Sequence, residues 1–255
     1  MQSSLQTLGT NYKITLAYVG TRYFGWQKTE SGPSIEESLE KAFFQTTRQT
    51  PTLQAASRTD RGVHAERQII NFFSLSDFDQ ELIEALNSCL PHDISILSVE
   101  KVSPFFHPTL DAVGKEYHYF ICNKAVQDPF HRLFSWHVPA LLSWDKMQRT
   151  VSFFCKKADF SALTNQRKSL PQSRICRLSS LEIVPLPENR LKISLIGDHF
   201  LYKMARNIVG TLVYVGLGKL RLADIPSLLE SKDRTRAGIT APAWGLHLKE
   251  VFYRS

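Results

Sequence analysis

Twice along this chain the apolar residues fall in the order strand, helix, strand, strand, helix, strand, an order few folds accommodate. In the first half Tyr12 to Val19 reads as a strand, and "SIEESLEKAFFQTT" puts Ile35, Leu39, Ala42 and Phe43 on one helix face behind a Ser34/Glu37 capping box. A short strand near Leu53 leads into a loop, and Arg67 to Phe73 carries the run "IINFF" of its expected neighbour. "DQELIEALNSCL" then spaces Leu82, Ile83, Leu86 and Leu90 as a helix stopped by Pro91, and Ile94 to Val102 returns as a strand. The second half repeats the order without repeating residues: strand Lys115 to Cys122, helix Trp144 to Lys157, strands Leu178 to Leu186 and Leu191 to Ile196, helix Leu201 to Val215, strand Leu246 to Tyr253. Three pieces decorate it: a short strand at Phe134 to Val138, a basic loop at Thr164 to Ser173, and a small helix near Asp224 to Ser231.

The β-α-β-β-α-β order is the ferredoxin-like arrangement, with helices on one face of an antiparallel sheet. The expected fold is therefore α+β, with two ferredoxin-like (βαββαβ) halves, 1–105 and 106–255, and a cleft between them. The join is placed near Pro104 to Gly114.

At 255 residues the chain buries a substantial core without disulfide or metal staples. Lys and Arg number 31 against 24 for Asp and Glu, and the formal charge of +7 favours a polyanionic partner. Cys89, Cys122, Cys155 and Cys176 form no CxxC pair, so neither a zinc knuckle nor a disulfide framework is expected, and free thiols suit a reducing compartment. The amino end "MQSSLQTLGTN" reads as a loose tail rather than a secretory signal, and no apolar run is long enough to span a membrane. A cytosolic location is expected.

Several chemistries lack their usual residues. The histidines form no HExxH or HxH, and no carboxylate pair stands at metal-ligand spacing, so no metal is expected. There is no GxxxxGK[ST] loop and no GxGxxG, so no nucleotide cofactor is expected; Gly216 and Gly218 follow a helix, where a C-cap role suffices. No cysteine sits in an evident electropositive motif. Ferredoxin-like sheets often serve as RNA platforms, yet the aromatic-rich RNP1 signature is absent, so element order by itself assigns no function. What remains is "AASRTDRGVH", Ala55 to His64. A turn accounts for Asp60 and for Gly62 with a positive φ. It does not account for Arg58 and Arg61, which surround the carboxylate with positive charge and attract phosphate.

"SRTDRGVHA" resembles the G-R-T-D-x-G-V-H-A signature of TruA-type transfer-RNA pseudouridine synthases. "YVGTRYFGWQ" (18–27), "KEYHYFI" (115–121), "FLYKMARNIVGTLVYVGLGK" (200–219) and "APAWGL" (241–246) are similar to that family's other blocks, in the same order. Ser57 stands where the family usually has Gly, Val19 where it often has Asp, and Ala205 where it often has Val. The resemblance implies an isomerase that converts uridine to its C5-glycoside at positions thirty-eight to forty of the tRNA anticodon stem-loop, without metal or cofactor, working as a homodimer with one tRNA spanning both subunits. It implies that Asp60 is the nucleophile, attacking ribose C1′ or uracil C6, and that Tyr117 stacks on the uracil while the freed base rotates. Arg206, in "YKMARNIVG", pairs with Asp60 by the same resemblance, although a lone Arg on an apolar helix face is ordinarily a snorkelling side chain. Arg58 suits support of an extruded base and suits a plain phosphate contact nearly as well. Arg61, Arg22, Lys115, Lys203 and the basic residues of the loop Arg167 to Arg174 are candidate phosphate contacts. Core packing is the expectation for Tyr119. Two alternatives stay open: an RNA-binding protein without catalysis, and a synthase that acts on other RNAs.

Overall fold

The computed structural model describes residues 9–165 and 173–254. Contacts divide the chain into two compact units, Met1–Val113 with Leu248–Ser255, and Gly114–His247. The first unit thus runs past residue 105 to Val113, within the expected join, and also takes in the carboxy-terminal residues.

The first unit is built from β1 (Thr10–Tyr18), α1 (Ile35–Thr47), β2 (Gln54–Ala55), β3 (His64–Ser74), α2 (Gln80–Cys89) and β4 (Ile94–Lys101). β1 lies antiparallel between β3 and β4, and β2 pairs antiparallel with β3 through Gln54↔Asn71 and Ala55↔Ile70. The strands run β4-β1-β3, and residues from Leu248 onward lie along the far edge of β3, where Glu250 pairs with Arg67 at 2.9 Å. α1 starts where expected, since the Ser34 hydroxyl accepts from the Glu37 amide at 3.2 Å. It buries Ile35, Leu39, Ala42 and Phe43, and it packs beside α2. The Phe43 ring meets Phe72 of β3 edge-on at 5.0 Å, and Phe72 stacks on Tyr12 of β1 at 5.6 Å. These rings tie helix to sheet with more than area alone, since such pairs add roughly 0.5–1.5 kcal/mol each.

The second unit contains β5 (Ala112–Cys122, entering at Gly114), β6 (Trp136–His137), α3 (Trp144–Thr150), β7 (Lys157–Asp159), β8 (Ile175–Leu186), β9 (Arg190–Gly197), α4 (Met204–Gly216), α5 (Ile225–Ser231) and the first residues of β10 (Leu246–Tyr253). β9 lies antiparallel between β5 and β8, and β7 extends the sheet antiparallel to β8. α3 and α4 pack together over the core formed by Tyr119, Ile121, Leu191, Ile193 and Leu195.

β3, β5 and β8 each begin three residues earlier than expected, at His64, Ala112 and Ile175, and three other elements are shortened. The helix from Trp144 stops at Thr150, tightens into a 3-10 turn over Val151–Phe153 that buries Phe154, and gives up Lys157 to β7. The helix expected from Leu201 begins at Met204, because Lys203 holds a left-handed φ of +61° that no α-helix admits. The strand expected from Phe134 to Val138 shortens to Trp136–His137, paired parallel with β5. Gly218 takes a left-handed φ of +71° just past α4, the capping position read from the sequence. All four cysteines are free thiols. The expected loose tail, up to residue 8, and residues 166–172 of the basic loop, including Arg167 and Lys168, lie outside the described residues.

Candidate active site

Asp60 sits in a loop without regular structure, and the segments on either side of it come from distant parts of the first unit. Ala56 bonds the β3 main chain, its amide donating to the Ile69 carbonyl at 2.8 Å. Beyond it, the buried side chain of Gln68 takes over. Its Oε1 accepts from the Ser57 amide at 3.2 Å and its Nε2 donates to the Ser57 carbonyl at 2.6 Å. Gln68 Nε2 also reaches the Tyr18 hydroxyl at 3.3 Å, and that hydroxyl lies 2.8 Å from Thr59 Oγ1. Gln68 is fully buried, and an amide left unbonded there costs about 1–3 kcal/mol, which the bonds to Ser57 and Tyr18 offset. Both bonds are made by the main chain of Ser57, whose φ is not in the positive range, so its backbone conformation does not require the glycine usual in the resembling family.

The other wall is the segment 20–26. The Trp26 amide donates to the Thr59 carbonyl at 3.0 Å, and the Gly62 amide donates to the Tyr23 carbonyl at 3.3 Å. Gly62 has φ +79°, the positive angle anticipated for a turn glycine. Gly25 is held at φ +102°, and a Cβ built there would lie 2.7 Å from the Thr59 carbonyl oxygen, 3.1 Å from the Arg61 nitrogen and 3.2 Å from the Asp60 carbonyl carbon. Only glycine lets the two backbones approach this closely. Below them His64 Nδ1 accepts from the Gly20 amide at 3.0 Å, and Tyr23 donates to Asp93 at 2.5 Å.

Three of the candidate arginines lie on these contacting segments. Arg58 and Arg61 are exposed, and the Arg61 guanidinium lies over the Phe24 ring at 4.0 Å. That stacking leaves the edge of the guanidinium available for hydrogen bonds. Arg22 is exposed and makes a long 3.8 Å ion pair with Asp93. The Asp93 side chain is largely buried while that of Arg22 is exposed, and at that distance the pair leaves the guanidinium accessible to an anion.

Tyr117, Lys115, Lys203 and Arg206 belong to the second unit. Tyr117 on β5 is buried, and its ring packs edge-on against Phe200 at 4.9 Å. Tyr119, two residues on, is wholly buried as expected, and its hydroxyl donates to the Pro242 carbonyl at 2.8 Å. Burial holds that phenol well above its usual range, against a smaller lowering by Arg206. Arg206 in the first turn of α4 donates from Nε to the Ala241 carbonyl at 2.7 Å. The block "APAWGL" therefore clasps both Tyr119 and Arg206. The next residue, Asn207, is wholly buried and donates to the Leu163 carbonyl and Asn165 Oδ1, each at 2.8 Å, while Arg234 and Thr240 donate to its Oδ1. Lys203, one turn earlier, places its ammonium over the exposed Tyr202 ring at 4.8 Å. Burial pulls the Lys115 ammonium down to about 8.

Sequence reasoning missed Gln68, Tyr18, Thr59 and Gly25. One signal for Gln68 was available: it shares strand parity with Ile70 and Phe72, so a polar residue occupies the core face of β3. Among the described residues no cluster of three or more His, Cys, Asp or Glu is placed to hold a metal ion, and no helix is long and apolar enough to cross a membrane.

Comparison with known proteins adds a family. A model described as tRNA pseudouridine synthase matches residues 14–110 and 157–254. Among similar proteins is tRNA pseudouridine synthase A 2 of Protochlamydia amoebophila, 50% identical over 254 residues, covering 98% of this chain and 97% of that one. tRNA pseudouridine synthase A of Acetivibrio thermocellus is 41% identical over 245 residues, covering 95% and 99% of the two chains. A second protein of P. amoebophila, tRNA pseudouridine synthase A 1, is 38% identical over 248 residues, covering 96% of each.

Proposed function

The chain belongs to the tRNA pseudouridine synthase family, and from that membership we propose that it isomerises uridine at positions thirty-eight, thirty-nine or forty of the tRNA anticodon stem-loop, with Asp60 as the nucleophile. The observation that supports Asp60 is its setting: a carboxylate on a loop held from both sides by buried hydrogen bonds, flanked by Arg58 and Arg61. Chemistry on a stem uridine requires the base to leave its stack, and Arg58 supports the gap it leaves. The Asp60 carboxylate bonds to ribose C1′ or to uracil C6, and the N1–C1′ bond breaks. The base turns while held on the Tyr117 ring, C5 bonds to C1′, the bond to Asp60 breaks and returns its carboxylate, the C5 proton departs to solvent and N1 takes up a proton. Arg206 supplies the counter-charge to Asp60. Arg22, Arg61, Lys115 and Lys203 contact phosphates. The enzyme acts in the cytosol as a homodimer, one tRNA spanning both subunits.

Forming the C5-glycoside expels H5, so purified protein given unmodified tRNA tritiated at uracil C5 is expected to release tritium to water over many turnovers. Mapping the product should place pseudouridine on the 3′ side of the anticodon stem-loop. Stoichiometric binding without release would instead establish an RNA-binding protein without catalysis, and product elsewhere would reassign the substrate.

Tyr117 yields a separate expectation. Tyr117→Phe keeps the stacking face and is expected to stay near wild-type turnover, whereas Tyr117→Ala is expected to lose about 10- to 100-fold, the worth of one base–aromatic stack. A folded, tRNA-binding but inactive Tyr117→Phe would replace stacking with a chemical part for the hydroxyl, such as removal of the C5 proton.

A further inference from the structure

The register of the β2–β3 pair, continued past Ala55, sets Ala56 against Ile69 and Ser57 against Gln68. At the first of these positions the Ala56 amide still bonds the main chain of β3. The second is a position at which an antiparallel ladder makes no main-chain bonds between the paired residues, and there the Gln68 side chain takes both the amide and the carbonyl of Ser57. The main chain of Gln68 is meanwhile in register with Leu16 of β1. The loop can therefore leave the sheet after Ala56 and still be held at Ser57 in one conformation. The same amide continues through the Tyr18 hydroxyl to Thr59, the residue before Asp60, whose carbonyl is held by Trp26.

We infer that Gln68 is a positioning residue for the nucleophile, its buried amide acting as a side-chain extension of the β-ladder that fixes Ser57 and, through Tyr18, Thr59. It touches no substrate. The arrangement explains why a polar residue with both a donor and an acceptor occupies a core position of β3: leucine would fill the space but hold neither Ser57 group, and glutamate would supply an acceptor and lose the donor. This inference rests on the proposed chemistry for its rate readout only.

Two substitutions test it. Gln68→Met keeps length and volume and removes both bonds to Ser57. It is expected to lower kcat for tritium release about 10- to 100-fold, the order expected when a reacting group is misplaced by about an ångström, with the Kd for tRNA unchanged within about twofold. Hydrogen exchange at the Ser57 amide is expected to accelerate in the same variant, since its acceptor is gone. Gln68→Glu gives a readout that simple loss of packing would not move. As a carboxylate it faces the Ser57 carbonyl with no proton to offer; as a carboxylic acid it both donates to that carbonyl and accepts from the amide. The ratio of its kcat to the wild-type value is therefore expected to rise as pH is lowered. Wild-type kcat in Gln68→Met, or a ratio independent of pH in Gln68→Glu, overturns the inference. If Gln68→Met does not fold, the Gln68→Glu profile decides. If the wild-type protein releases no tritium from any tRNA, the proposed function fails, and exchange at Ser57 still decides whether Gln68 holds the loop.

Discussion

Asp60→Asn is expected to abolish turnover while leaving tRNA bound. The substitution preserves shape and much of the hydrogen bonding of the side chain but removes the negative charge and the nucleophilic oxygen pair on which a covalent adduct depends. Since Asp60 alone is assigned to form that adduct, the loss is expected to be at least about 10,000-fold in kcat. Binding is expected to stay level or tighten. A carboxylate facing a phosphate-rich ligand repels it, and without that charge the positive field of Arg58 and Arg61 acts on the RNA uncompensated. Tritium release from C5-labelled tRNA measures the first quantity and filter binding the second. Substantial release by purified Asp60→Asn, free of wild-type enzyme, removes Asp60 from the role of nucleophile. Loss of binding together with turnover would make the residue structural.

Gly25→Ala is expected to damage catalysis strongly, though less than Asp60→Asn, even though Gly25 has no side chain and no chemistry. An alanine at φ +102° carries strain of about 1–3 kcal/mol, and its Cβ cannot sit 2.7 Å from the Thr59 carbonyl oxygen. Both obstacles are backbone, so no side-chain rotation relieves them. The loop must move, and displacement of Asp60 by about an ångström is expected to cost on the order of 100-fold in kcat. Gly218→Ala is the natural control. Gly218 also has a positive φ, +71°, but nothing lies within 4 Å of the added methyl, so its expected cost is the conformational term of about 1–2 kcal/mol, with kcat unchanged. Thermal unfolding and kcat measured on both variants separate strain from displacement. Equal kcat in Gly25→Ala and Gly218→Ala would show that the segment 20–26 does not position the nucleophile.

Both substitutions act on one loop, yet only one of them was legible in the sequence. Asp60 stood out because its neighbours Arg58 and Arg61 exceed what a turn needs, and that surplus is a local property. The helix starting at Ile35 was legible for the same reason, since the Ser34 cap and the 3.6-residue spacing of Ile35, Leu39 and Phe43 lie within a few turns of chain. The helix from Trp144 was legible only at its start. Its end depends on the burial of Phe154 and on the pairing of Lys157 with Arg177, which no local pattern contains.

The sequence by itself determined the order of the main strands and helices (though not β7), the motif that carries Asp60, and the family, because periodicity, capping and contiguous motifs are written over short spans of chain. Only the tertiary structure decided what holds the nucleophile in place. Tyr18 reaches Thr59 across 41 residues, Gln68 reaches back 11 to Ser57, and Gly25 comes within contact distance of Asp60 by backbone approach. A buried polar group has to find a partner, but which partner it finds is settled by the packing of the whole unit, and a glycine's lack of a side chain acquires meaning only beside the backbone that fills its place.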